Sequence, residues 1–302
     1  MRVKVGIFFF QVLQQSCLFL PLALGIYLCF SVLKIADLTV EGSFVTGASL
    51  FSKLTIENIP PTLCLIFALL GGALIGLLVS IIQRKDRIPP LIAGILMIFI
   101  LSSINLLIME RPNINLLGRA TPMQNAIEIF NFFPETFVTF AFIFSQSLLI
   151  TFFLAYLLHS RLGLFFRAFG DNTSLLRRFG KTPEYYRIIA LSLSNMLAAY
   201  CGVLTAQSSG YADVNMGYGF SLIGIGTVII GQQLYCFIFS HKKINPIMQL
   251  FTCFLGVFCY FFLLNLFIRI HINPIYLKMI IGISLIIFLF TAKNEQHFEA
   301  KI

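Results

Sequence analysis

Asp37-Leu38-Thr39-Val40-Glu41-Gly42-Ser43-Phe44 is the stretch on which the reading of this chain turns. Two carboxylates stand there among small polar residues, and the character continues through Thr46, Gly47, Ala48 and Ser49. An apolar run, Gly6 to about Val32, precedes it, and another begins near Thr62. A polar, small-residue segment in such company is either a loop at a membrane surface or part of a path through the membrane.

The surroundings fix the class. Of 302 residues, 58% are hydrophobic and only 11% charged, with 34 Phe and no Trp. Mean hydropathy is +0.92. A soluble domain of this length needs a charged skin that these residues do not supply. The expectation is an all-α polytopic membrane protein, a single transmembrane domain over 1–302. The net charge of +9 is no nucleic-acid footprint, because Lys and Arg fall in short runs between apolar segments. The seven cysteines lie inside apolar runs without a C-x-x-C pair, and the four histidines have no metal-ligand spacing.

Eight apolar spans are readable. The first, Gly6 to Val32, is too long for a signal-peptide core and lacks a small-residue cleavage site. The others run over about 62–82, 88–109, 136–158, 188–207, 219–239, 246–267 and 274–292. With both termini inside, positive charge divides 15 inside to 6 outside, Lys34 and Lys53 among the outer six. That parity requires residues 36–60 to dip in from the outer side and return. A re-entrant segment is therefore expected there, tolerated only where protein or water covers it.

Three places carry candidate chemistry. Gly180-Lys181-Thr182 resembles the end of a phosphate-binding loop, but Leu175 stands where the pattern needs its first Gly, so no ATP site is encoded. The basic connection 159–187 holds Arg161, Arg167, Arg177, Arg178, Lys181 and Arg187 against Asp171 and Glu184. Within it Asp171 or Asn172 can cap a short helix over Ser174–Phe179, Gly180 fits the position just past its end, and Thr182-Pro183-Glu184 opens the next helix. This is either a topology-setting loop or a docking helix for a soluble partner. The acids Asp37, Glu41 and Asp213 are functional candidates as carboxylates in or near spans. Asp37 serves equally as a helix cap, and Glu41 could reach outer headgroups. A weak echo of the first polar segment recurs as Asp213, Asn215, Gly217 and Gly219, which marks a packing surface or a path.

Asp37–Phe44, Leu91–Leu96, Ala168–Asn172 with Gly180, and Ser194-Asn195 through Ala206-Gln207, Ala212-Asp213 and Met216–Gly219 together resemble the permease subunit of bacterial ATP-binding cassette importers. The likeness is to the branched-chain amino acid and ribose permease superfamily, in its tryptophan/tyrosine-type subgroup. It covers nearly the whole chain in order. The resemblance implies a multi-pass protein of the bacterial inner membrane that pairs as a permease homodimer. ATP and Mg would sit on a separate ATPase subunit, with no cofactor or metal on this chain, and a periplasmic binding protein would deliver a small solute. It also assigns Arg167, Gly170, Asp171, Asn172, Arg177, Arg178 and Gly180 to a coupling loop against the ATPase. Asp37, Thr39, Glu41, Gly42, Ser43, Asp213, Asn215 and Gly219 would line the translocation path. The residues alone leave open an ion-coupled carrier using Asp37 and Glu41, and a membrane scaffold.

Overall fold

The computed structural model describes residues 2–84, 88–239 and 246–271, with a few isolated positions beyond 271. Helix starts follow the prolines. Helices α3 (Pro61–Ile82), α4 (Pro90–Met109), α5 (Pro122–Ile129) and α9 (Pro183–Ser209) each begin on a proline, where the missing N–H would have had no intrahelical partner. Pro21 lies inside α1 (Arg2–Tyr27), which continues into a π-helical turn, Leu28–Val32. Helix α2 covers Val40–Ile56, and α6 covers Glu135–His159. Two short helices, α7 (Arg161–Asp171) and α8 (Thr173–Arg178), lead into α9. Helices α10 (Phe220–Phe239) and α11 (Pro246–Arg269) follow. Among the described residues six helices are long and apolar enough to cross a membrane, and α10 carries a shorter apolar stretch. The expected span 274–292 lies outside the described residues.

The chain divides into two units, residues 17–225 and residues 1–16 with 226–302. The larger is built on α2, α3 and α9. Helix α9 runs parallel to α2 and antiparallel to α3. A Cβ at Gly47 would collide with the Ala199 carbonyl, one at Gly202 with the Phe44 carbonyl, and one at Gly76 with the Leu191 carbonyl. Glycine is required at these crossings because backbone meets backbone. Residues 17–27 of α1 run antiparallel to α9, with the Cys201 thiol on the Leu18 carbonyl at 3.1 Å and the Ser194 hydroxyl on the Gly25 carbonyl at 2.8 Å. Helices α3, α4 and α6 turn large apolar side chains outward, such as Leu74, Phe99 and Phe152, as helices against lipid do. In the smaller unit, Gly231 of α10 packs on Thr252 of α11, and Asn265 donates to the Gln15 amide oxygen at 2.7 Å.

Residues 36–60 do not dip and return. Lys34, expected on the outer side, pairs with Asp171 of the inner connection at 2.8 Å. Lys53 pairs with Glu110, at the outer end of α4, also at 2.8 Å. The chain therefore passes from one face to the other between them, and residues 17–27 of α1 run toward the inner face, the reverse of the expected N-in direction. The Ser, Thr and Gly content of α2 hid this crossing. Twelve of its 17 residues are buried against other helices, so the segment needs no lipid-compatible surface of its own.

The long connection expected over 110–135 is structured. Strand β1 (Asn113–Asn115) pairs antiparallel with β2 (Tyr211–Asp213), joining the loops after α4 and α9. Thr121 caps α5 by accepting from the Gln124 N–H at 3.1 Å.

Candidate functional site

The outward crossing through α2 starts from a broken stretch, residues 28–38, at the inner face. Leu33 N–H reaches back five residues to the Leu28 carbonyl at 3.1 Å, closing the π-helical turn. Lys34 then adopts φ +60°, a left-handed conformation that costs a non-glycine residue energy and reverses the chain. Residues 35–38 are non-helical, and α2 starts beyond them, inside the protein. Discontinuous helices of this kind expose backbone polar groups at depth, which the surrounding structure has to satisfy.

Asp37 and Asn195 do so. Asp37 is only 4% exposed. Its Oδ1 accepts from the Thr39 N–H at 2.9 Å and the Thr39 hydroxyl at 2.5 Å, and its Oδ2 accepts from Asn195 Nδ2 at 2.9 Å. Asn195 Nδ2 also donates to the Leu191 carbonyl at 3.0 Å, and its Oδ1 accepts from the Ser43 hydroxyl at 2.6 Å. Thr39 Oγ1 stands 3.0 Å from the same oxygen. Asp37, Thr39, Ser43 and Asn195 thus form one closed polar knot between the start of α2 and the body of α9. Asp37 is not the helix cap that it could have been: Thr39 holds that position in α2 without a side-chain cap bond, and Asp37, buried between the helices, closes a turn onto the Thr39 N–H.

Glu41 takes another direction. Its carboxylate accepts from the Ser221 N–H at 3.1 Å, at the start of α10, and the Ser221 hydroxyl donates to the Leu38 carbonyl at 3.1 Å. A carboxylate on the first turn of a helix is electrostatically favoured. Gly217 packs on the Glu41 carbonyl, so the two echoing polar segments touch. Gly42 faces α4, where Asn105 Nδ2 donates to its carbonyl at 3.3 Å. Gly219, at φ +83°, turns the chain into α10. Asp213 and Asn215 remain apart from the knot. Asp213 sits in β2 opposite Asn113, and its Oδ1 accepts from the Asn215 N–H at 2.7 Å.

Along α2, hydroxyls recur at Ser43, Thr46, Ser49, Ser52 and Thr55, all buried. Thr46 and Thr55 donate to carbonyls of their own helix at 2.9 and 2.7 Å. Ser49 Oγ and Ser52 Oγ have no hydrogen-bond partner, and neither has Asn105 Oδ1 on the facing helix. The crossing is polar along its length, not only at the knot.

The inner connection is seated on the break. A Cβ at Gly170 would collide with the Val32 carbonyl, so α7 lies directly on the π-helical turn. Lys34 and Asp171 pair one residue further along, both side chains more than half exposed. Asn172 caps α8 by accepting from the Ser174 N–H at 2.9 Å, and Gly180 takes φ +67°, as the sequence indicated. Arg177, Arg178 and Gly180 are exposed, as are Leu175 and Phe179, while Arg167 is partly buried and Leu176 is buried. The short helix therefore presents both apolar and basic groups to the inner side.

Sequence reasoning missed Asn195 as a member of the site, although one amide in the middle of an apolar run is a usable signal. Ser221 and Lys34 carried no such mark.

Residues 8–289 match the family model described as the permease component of branched-chain amino acid transport systems. An uncharacterised protein of Rickettsia prowazekii is 45% identical over 94% of this chain and 97% of its own length. The tyrosine transport system permease protein of Clostridioides difficile is 32% identical over 93% of this chain and 90% of its own. The ribose import permease protein of Escherichia coli K12 is 28% identical over 74% and 68%. No solved structure matches the chain.

Proposed function

Since the chain belongs to the branched-chain amino acid and ribose permease superfamily of ATP-binding cassette transporters, we propose that it is the permease subunit of an importer for a small solute. The observation that carries this reading is the seating of α7 on the broken crossing, through Gly170 on Val32 and Asp171 on Lys34. An ATPase docked on α8 and the exposed Arg177, Arg178, Leu175 and Phe179 would act on α7. Motion there reaches the segment that carries Asp37. The broken crossing and the hydroxyl-bearing face of α2 would border the solute's path, with Asp37, Thr39 and Ser43 at its middle. Glu41 and Gly219 would shape the entrance toward α10, and Asp213 and Asn215 the outer rim. Similarity to the tyrosine permease favours an amino acid as the solute. The assembly in this reading is a pair of permeases in a bacterial inner membrane, two ATPases beneath and a solute-binding protein outside.

Isolation of the chain from its native membrane in mild detergent tests this. An ATP-hydrolysing subunit should accompany it. Leu175→Asp with Phe179→Asp, which leaves the buried Leu176 in place, should release that subunit while the chain stays folded. A chain that never brings an ATPase, and whose uptake collapses with a protonophore at constant ATP, refutes the reading in favour of an ion-coupled carrier.

A further inference from the structure

Helix α6 has two opposed faces. Ile143, Ser147, Ile150, Leu154 and Leu158 are buried against the protein, and Ser147 is anchored by its hydroxyl on the Cys17 carbonyl at 2.5 Å. On the other side Phe144, Leu148, Phe152 and Tyr156 are exposed. At 3.6 residues per turn, Phe137, Ala141 and Ser145 fall on this same exposed side, one turn apart. They do not form a smooth surface there. A cavity of about 340 Å³ opens along them, roofed by α5 and the residues that follow it. Its floor is low, made by Val138, Ala141 and Ser145 of α6, Ala126 of α5 lies in its roof, and its walls are aromatic, made by Phe130, Phe133, Phe137 and Phe142.

The groove is dry in character. Its one hydroxyl, Ser145 Oγ, donates to the Phe142 carbonyl of its own helix at 2.8 Å and so asks nothing of an occupant. From Phe137 to Ser145 it runs about 12 Å along the helix axis, at 1.5 Å per residue. It is narrow, lengthwise to a membrane-crossing helix, and continuous with the apolar face below. At its outer end lies Ile129-Phe130-Asn131-Phe132-Phe133, just before α6 begins. Ile129 is 73% exposed and Phe132 is 98% exposed. An apolar cluster at the end of a span belongs at the boundary between headgroups and hydrocarbon.

We propose that the groove between α5 and α6 is a lipid site that holds one acyl chain of an outer-leaflet phospholipid, with Ile129–Phe133 embedded at the headgroup boundary above it. Shape and chemistry both select this occupant. A peptide or a polar solute would leave its hydrogen-bonding groups unmatched against these walls. A helix from another copy would need a broad flat face, whereas the groove is closed on one side by the Phe130–Phe133 turn. Volume at the lower end of the range for small-molecule sites fits part of one chain.

The absence of Trp from the sequence supplies the assay. Phe137→Trp places a single fluorophore in the groove, and Phe152→Trp places one on the same face outside it. The full chain in detergent micelles is titrated with phosphatidylglycerol brominated in its acyl chains. Quenching at position 137 should saturate near one lipid per chain, with position 152 scarcely affected. Ala141→Phe in the Phe137→Trp background fills the floor, and should raise the lipid needed for equal quenching about tenfold, the loss of roughly two buried methylenes. If that variant does not fold, Ala141→Leu gives the same shift in smaller measure. Equal quenching at both positions, or a titration unmoved by filling the floor, overturns the proposal. A groove reporter shielded from lipid as the chain self-associates in sedimentation also overturns it, in favour of a second copy.

Discussion

Replacing Asn195 should destabilise the protein by much more than the loss of one mid-sized side chain. In the native structure its amide donates to Asp37 and accepts from Ser43, at 2.9 and 2.6 Å, and every partner is shut away from water. Removing it strips one hydrogen bond from a buried carboxyl oxygen and leaves that oxygen unmatched, at about 1–3 kcal/mol. It also leaves the fully buried Ser43 hydroxyl without its acceptor, at a further cost of about 1–3 kcal/mol. The Thr39 hydroxyl keeps Asp37, and the Leu191 carbonyl keeps its place in the helix, so neither adds much. The sum is about 2–6 kcal/mol for Asn195→Leu, in which the side chain's volume is nearly preserved and cavity formation is small. Unfolding can be followed in mixed micelles titrated with SDS, using a thiol-reactive dye that reports the buried Cys29, Cys64 and Cys201. A double-mutant cycle with Asp37→Ala isolates the direct bond, for which a coupling of about 1–3 kcal/mol is expected. A cost under about 1 kcal/mol for Asn195→Leu, or a coupling under about 0.5 kcal/mol, would refute the view that these residues close the broken crossing.

Four more outcomes are expected. Glu41→Gln should leave stability nearly unchanged, because the amide oxygen can still accept from the Ser221 N–H, whereas Glu41→Leu should cost about 1–3 kcal/mol in the same titration. Gly202→Ala should cost about 1–3 kcal/mol by forcing α2 and α9 apart, while Gly6→Ala, with open space around it, should be neutral or gain up to about 1 kcal/mol. The hydrogen bond from Lys53 holds the Glu110 carboxyl below the usual range, so this pair's contribution is present above the ordinary carboxylate pKa and fades as pH falls through the lower folded value. Glu110→Gln should therefore flatten the acid limb of a stability–pH profile without moving the neutral region, by a small amount because the Glu110 carboxylate is largely exposed to water. Gly170→Ala should reduce solute uptake at unchanged expression, since α7 can no longer sit on Val32, and the Lys34→Asp/Asp171→Lys exchange should be nearly silent in stability, an exposed pair contributing about 0–1 kcal/mol.

Much of this architecture is written in local signals. Runs of Leu, Ile and Phe mark α3, α4 and α6, and the proline pairs at 60–61 and 89–90 set two of the starts within two residues. The caps of α8, Asn172 and Gly180, are legible because a side-chain oxygen and a positive φ are properties of single residues. What escaped depends on residues distant in sequence. Helix α2 reads as a segment that dips in and returns because its composition reports the neighbours it has, which are helices and not lipid. Lys34 counts as an outer charge until Asp171, 137 residues away, is seen to hold it. The pairing of Asn113–Asn115 with Tyr211–Asp213 has no local sign, since three residues are too few for a period to show. Asp37 could be singled out as an acid among apolar residues, yet its closing partner Asn195 lies in another helix, and α7 looked like loop because its three turns bury only Gly163 and Phe166 and leave Leu162 and Leu164 exposed.

The glycine crossings between α2, α3 and α9 have a mechanical consequence. Where Gly47, Gly202 and Gly76 bring carbonyls of one helix onto another, no layer of side chains remains that could swap rotamers and let the helices slide. Shear between packed helices needs such a layer. These three helices are therefore expected to move as one block, and any alternation of the permease between its two faces has to hinge at the borders of that block. The π-helical turn and the left-handed Lys34 lie on one such border, which makes a short joint, residues 28–34, and not a long span, the compliant part of the machine.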